Sequence, residues 1–256
     1  MINNIAKLLQ GIFGKKKTED ILKKKLPITV DLKPEFKPPE FKILLSEVHL
    51  TVEPEGANQL DVRIGDLAAK YETSGKGVGY ISTGMGGKDP GGISYGNYQL
   101  ETKLGTMQAY LKSKEGGKYA KELNKFTVNS TNFKNKWKQL AKDDPVGFNY
   151  SQFLYLANKP NGYNDAIKYA KQLGWAVDNF AMQSAIYSTV NQSGGWKTGI
   201  FNKAGIKKTD NVKDQLNKLY DARAAYFKRI KLDATVKRNI IKNRTVDERR
   251  DAIRLV

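Results

Sequence analysis

Cysteine is absent from this 256-residue chain, and histidine occurs once, at His49. Without thiols there is no disulfide, no thiolate nucleophile and no cysteine-ligated metal, and the redox compartment stays open. A single imidazole excludes a multi-histidine zinc site and most Ser–His hydrolase designs. Any chemistry must therefore come from carboxylates, hydroxyls, lysines or backbone, and no metal or cofactor is implied. For His49 itself, the flanking Val48 and Leu50 indicate a short strand and a structural place. No apolar run is long enough to span a membrane. Acidic residues are the scarcer charge: 44 Lys and Arg face 26 Asp and Glu, a net charge of +18. An anionic partner follows, and nucleic acid, an anionic membrane and a bacterial wall polymer all qualify. The excess is distributed, with ten Lys against five acids in residues 1–45 and 16 Lys and Arg against seven acids in 200–256. At 39% hydrophobic content, the chain can bury one substantial core with an appendage.

The appendage is N-terminal. Ile2, Ile5, Leu8, Leu9, Ile12 and Phe13 recur at helical spacing until Gly14 and Lys15-Lys16-Lys17 end the stripe. This is too short to cross a bilayer, and its charge follows the apolar run where that of a signal peptide would precede it. Such a stripe suits a membrane surface, a partner protein or the chain's own core. Pro27, Pro34, Pro38 and Pro39, set among charges, give an extended, semi-rigid linker over 27–42. Residues 43–53 alternate as one strand would. These features divide the chain into a basic arm with a proline-rich linker, 1–45, and a domain over 46–256.

Leu60, Ile64, Leu67, Ala68 and Tyr71 predict an amphipathic helix over 57–72. Glu72 falls in its last turn, just before Gly75. There it meets the negative end of the helix dipole and the partly apolar Tyr71. Both disfavour the charged form, which suits a general acid working near neutrality. Residues 73–97 then hold nine glycines in 25 positions. That is too many for a helix or a good strand, and it lets backbone amides approach a ligand closely. Tyr95, Tyr98 and Gln99 add ring faces and an amide, and Ser94 and Asn97 add hydrogen bonds, a set suited to sugars. Tyr95 and Tyr98 fit a buried core equally well. Gly75-x-Gly77-x-Gly79 is no dinucleotide fingerprint, because a helix rather than a strand precedes it.

Beyond Gln99 the pattern is helical and the fold class is mainly α. Helices are predicted over 100–112, 132–142, 146–158, 163–173, 179–191, 210–228, 233–242 and 246–255, each bounded by Gly, Pro, Asn or Asp. Leu104, Met107 and Leu111 share a face of the first. On 179–191, Gln183, Tyr187 and Asn191 fall at i, i+4, i+8 and can line a cleft, with Met182, Ala185 and Ile186 toward the core. Arg244 and Glu248, at i, i+4, predict a structural ion pair. Trp137, Trp175 and Trp196 read as core ahead of ligand platforms.

The segment Asp89-Pro90-Gly91-Gly92-Ile93-Ser94-Tyr95-Gly96-Asn97-Tyr98-Gln99-Leu100, following Glu72, resembles the signature of phage-type peptidoglycan hydrolases with a chitosanase-like lysozyme fold. Lys136-Trp137-Lys138-Gln139-Leu140-Ala141, Asp144-Pro145-Val146-Gly147-Phe148, residues 185–195 and 243–249 extend the likeness over 57–256. Ser193 stands where that family often carries a histidine. The resemblance implies a mainly α (α+β), lysozyme-like two-lobed fold with a glycine-rich loop or small β excursion beside a catalytic cleft. It implies a peptidoglycan-degrading glycosidase, hydrolase or lytic transglycosylase, with Glu72 as general acid. Glycoside hydrolysis usually needs a second carboxylate. Asp89 suits that role, and Asp-Pro-Gly-Gly is equally ordinary turn chemistry; Glu101 is a weaker candidate. With neither, Glu72 alone can act as acid and then base, the sugar's own hydroxyl being the nucleophile. The implied setting is a phage virion tail, or host cytoplasm before lysis as an endolysin. Peptidoglycan is the implied partner, with other virion or tail proteins met through residues 1–45. The rival is a catalytically inactive structural or nucleic-acid-binding component of a phage-like particle, and a third reading is an enzyme of another amino-sugar polymer.

Overall fold

The computed structural model describes the backbone of residues 28–29 and 51–52, and residues 60–82 and 92–256 in full. The chain divides into two compact units, Met1–Leu60 and Asp61–Val256. In the first, strand β1 (Ile28–Thr29) pairs antiparallel with β2 (Thr51–Val52), Ile28 opposite Val52. The expected linker over 27–42 and strand over 43–53 are described at these four residues. The apolar stripe from Ile2 to Phe13, His49 and the boundary at 45 lie outside the described residues.

The second unit is mainly helical. It opens with a 3₁₀ turn, Val62–Gly65, whose N-cap Asp61 accepts a hydrogen bond from the Arg63 backbone N–H at 2.9 Å. Helix α1 (Asp66–Thr73) follows and stops at Ser74 and Gly75, both with positive φ. A left-handed pair of this kind turns the chain out of the helix axis and ends the ladder. The predicted helix over 57–72 is thus a 3₁₀ turn and two helical turns. Strand β3 (Ser94–Tyr95) pairs with β4 (Leu100–Glu101) as an antiparallel hairpin, Ser94 opposite Glu101, and Tyr95 also bridges Ile81. Gly96 begins the turn at φ 75°. A Cβ there would overlap the buried Gln152 side-chain amide, so both the backbone conformation and the close approach require glycine.

Helix α2 (Thr106–Lys112) begins after Gly105, so the predicted helix over 100–112 gives up its first residues to β4. Leu104, placed on the helix face by periodicity, lies ahead of α2 and is 64% exposed. Helix α3 (Gly117–Leu123) has no counterpart among the sequence expectations. Then come α4 (Thr131–Asp143), capped by Ser130, and α5 (Pro145–Asn158), with Asp144 as cap and Pro145 in its first turn. Helices α6 (Tyr163–Gln172), α7 (Phe180–Gln192) and α8 (Val212–Arg229) follow. The chain closes with α9 (Ala234–Ile240), a π-helical segment Ile241–Asp247, and α10 (Glu248–Ile253).

The core is built round α7, which packs against α1, α6, α8 and α10. Every residue of α7 from Ser184 to Val190 is buried. Tyr95, Tyr110 and Phe148 pack on Trp137, with Phe133 against Tyr95, and the Trp137 indole N–H donates to the Val78 carbonyl at 3.1 Å and ties α4 to the loop after α1. Trp175 and Trp196 both pack on Phe201. All three tryptophans are core.

Candidate functional site

Two helical turns of α1 carry Glu72 to the edge of a charge network. Its Oε1 lies 2.9 Å from Nη2 of Arg244, which the π-helical segment holds with 4% of its side chain exposed. Arg244 Nε is 2.9 Å from Oε2 of Glu248, one turn on, so the ion pair expected from their spacing is present. Glu248 has no exposed surface. Its Oε1 accepts hydrogen bonds from Arg223 Nη1 at 2.7 Å, Ser188 Oγ at 2.6 Å and Tyr220 OH at 2.8 Å. Arg223 reaches further, donating from Nη2 to Gln192 Oε1 at 2.8 Å. The groups alternate in sign from the surface inward: Glu72, Arg244, Glu248, Arg223.

Burial opposes ionisation of the Glu248 carboxyl. The guanidinium groups of Arg223 and Arg244 and the hydrogen bonds from Arg223 and Ser188 outweigh it, holding the group below the usual carboxylate range. For Arg223, burial works against the cation, and the adjacent Glu248 more than restores it. Burial, then the Glu248 charge, pushes the Tyr220 phenol well above its ordinary value, so it serves as a donor throughout. Each buried charge thus has its counter-charge, a condition for such pairs to be tolerated, although Arg223 Nε and Arg244 Nε and Nη1 are buried without a hydrogen bond. Glu72 is the member open to water, with 20% of its side chain exposed. Beside it, Tyr71 turns its ring to Arg244 at 6.0 Å and donates its hydroxyl proton to Asp251 Oδ2 at 2.7 Å. The helix end and Tyr71 are therefore not its whole setting, because a cation lies against it.

The other expected site residues are placed as follows. Asp89 lies outside the described residues. Ser94 is buried in β3, its backbone N–H bonded to Ser82 Oγ at 2.8 Å. Tyr95 is fully buried against Phe133 and Trp137; its hydroxyl donates to Asn129 Oδ1 at 2.9 Å, and burial pushes it up to about 12. Tyr98 packs on Phe153 and Tyr187, and Tyr187 in turn stacks on Phe153 with its hydroxyl on the Phe153 carbonyl. At 0%, 2% and 1% exposure, none of these three rings offers a face to a ligand, so sugar stacking by Tyr95 and Tyr98 and cleft lining by Tyr187 are corrected to core packing. Asn97 donates to Asn149 Oδ1 at 2.7 Å, and Gln99 folds back onto the Gly96 carbonyl at 3.2 Å. Gln183 donates to the Val177 carbonyl at 2.8 Å, and Asn191 is half-buried near the C-terminus of α7. Among the described residues, no group of His, Asp and Glu is arranged to hold a metal. A groove of about 470 Å³ opens along the first turns of α1, lined by Leu67, Lys70, Phe180 and Ser184, and Glu72 is not part of it.

Arg223, Ser188 and Gln192 were not anticipated as members of the network. A signal for Arg223 existed: Leu216, Leu219, Tyr220, Arg223 and Phe227 form one buried stripe of α8, so an arginine occupies a core position. Such a residue needs a buried acid.

A family model described as type VI secretion system spike protein VgrG3-like, C-terminal, matches residues 64–249. The type VI secretion system spike protein VgrG3 of Vibrio cholerae serotype O1 is 32% identical over 154 residues, 59% of this chain. The chain spans 14% of the length of that curated relative. These matches correct the expectation of a phage-type peptidoglycan hydrolase. They likewise set aside the endolysin or tail-lysin function and the virion-tail or host-cytoplasm setting, since the family matched is that of type VI secretion spike C-terminal parts.

Proposed function

This chain belongs to the family of type VI secretion system spike proteins, VgrG3-like, C-terminal, and from that premise we propose that it works as a domain of a secretion spike, assembling with other components of the apparatus. One observation carries this reading: the family match runs from the 3₁₀ turn to α10 and so takes in the helical body and the whole Glu72–Arg223 network. No helix of the described residues is long and apolar enough to cross a membrane. The +18 charge favours an anionic polymer as a further partner, and peptidoglycan fits that chemistry. The test is export. The tagged chain appears in the culture medium of cells with an intact secretion system and is absent when the system is deleted; equal amounts in both would reject the spike role.

A second reading, glycosidic-bond chemistry at Glu72, rests on this carboxylate being the solvent-open end of an otherwise buried network. In it the lysozyme-like two-lobed arrangement sets the β3–β4 hairpin against the later helices; Glu72, protonated and released from Arg244, gives its proton to the glycosidic oxygen, and water or the sugar's own hydroxyl attacks the anomeric carbon and returns a proton to Glu72. Reducing ends or anhydro-sugars released from amino-sugar polymers measure it. Glu72→Gln is expected to lower release by about 10²–10⁴-fold. No release by the unaltered chain leaves the spike role alone.

A further inference from the structure

Helix α9 has no buried residue, although it carries Val236 and Ile240. It packs against α8 and the π-helical segment, and beside it lies a shallow groove of about 570 Å³. Apolar Leu232, Ala234, Ile241 and Val246 line it together with basic Lys237, Arg238 and Lys242. Val246 is 55% exposed. The surrounding charge is one-sided. Residues 228–242 contain six Lys and Arg and a single acid, Asp233. That carboxylate is committed to the N-terminus of α9, accepting from the Thr235 and Val236 backbone N–H groups at 2.9 and 3.1 Å. Lys237 reaches back to the Lys228 carbonyl at 3.1 Å, and Lys242 lies 3.8 Å from Asp247 with 74% of its side chain exposed. Arg238 has no carboxylate partner among the described residues.

We propose that this groove docks an acidic amphipathic segment of a partner protein, its apolar side chains on Leu232, Ile241 and Val246 and its carboxylates on Lys237, Arg238 and Lys242. Charge complementarity decides the partner's sign, and the apolar lining decides its kind. A nucleic acid would need ring faces for its bases or a purely cationic track for its phosphates, whereas no aromatic side chain lines this surface. A bilayer-surface helix carries a longer apolar face with Trp, Phe or Leu, which the seven residues of α9 lack. A helix laid in a groove fills it, pairing an apolar stripe with flanking charges. The proposal does not depend on what Glu72 does, and it holds for any acidic partner, whether or not that partner belongs to the secretion apparatus.

Fluorescence anisotropy on the full chain tests it. The probe is a labelled synthetic helix of about four turns, with glutamates flanking a leucine stripe. The controls are the same peptide with glutamine in place of glutamate, a labelled DNA duplex, and phosphatidylglycerol vesicles. The glutamate peptide is expected to bind at least about tenfold more tightly than the glutamine peptide. Combined Lys237→Glu, Arg238→Glu and Lys242→Glu should weaken it about tenfold or more, as should Val246→Asp. Arg238→Ala, at an exposed position, is the milder variant if thermal unfolding shows a loss of fold in the others; it should weaken binding in the same direction. Equal binding of the two peptides, or binding that these substitutions leave unchanged, overturns the proposal. Duplex or vesicle binding that the same substitutions abolish, with the peptide unbound, overturns it too and reassigns the groove.

Discussion

Removing the carboxylate of Glu248 leaves the Arg223 guanidinium buried without a counter-charge and leaves Arg244 with Glu72 alone. Glu248→Ala is therefore expected to cost about 3–5 kcal/mol, read as a lower denaturant midpoint; a loss within the range of ordinary surface substitutions would refute the network as described. The same group predicts a pH dependence. Its folded-state value lies below the ordinary 4.5, so its contribution is fully present above that value and disappears as the pH falls through the lowered one. The acid limb of the stability profile should thus be shallower in Glu248→Gln than in the unaltered chain, and superimposable limbs would contradict it. Gly96→Ala should cost about 1–3 kcal/mol through backbone strain and overlap with Gln152. At this scale the sequence was partly readable. The Arg244–Glu248 pair follows from helical spacing, and the position of Glu72 at a helix end from Gly75. Its pairing with Arg244 does not, because tertiary packing brings α1 to the π-helical segment.

Helix α7 shows why element-level reading stops where it does. Its N-cap Asn179 accepts from the Met182 N–H at 3.2 Å, and Asn179→Ala is expected to lose about 1 kcal/mol of stability, measured by thermal unfolding. That cap and the extent of the helix were legible. The direction each face points was not, because a helix buried on all sides carries no polar stripe to mark a cleft. Gln183, Tyr187 and Asn191 share a face by spacing, yet Tyr187 is as deep as Ile186. The hairpin was legible only as one of two alternatives, a glycine-rich loop or a small β excursion. Two strands of two residues each give too few alternations to distinguish from a glycine-rich loop or the start of a helix. The tyrosines there were ambiguous because the same side chain serves a core or a sugar.

Over the whole molecule, the mainly helical class was evident from periodicity, whereas the setting was not, since a basic, helical, glutamate-bearing domain suits a phage particle and a secretion spike alike. With peptidoglycan as the anionic partner proposed above, the +18 balance predicts that retention on sacculi falls steeply as salt rises from about 50 to about 200 mM. Salt-insensitive retention would point to a specific pocket instead. Glu72, Arg244, Glu248 and Arg223 sum to zero, so this interior row contributes nothing to the molecule's overall field. The excess positive charge therefore lies elsewhere, and a lineage can raise, lower or relocate its exterior charge to suit a new counterpart while this inner lattice, and the helices it fastens, remain as they are.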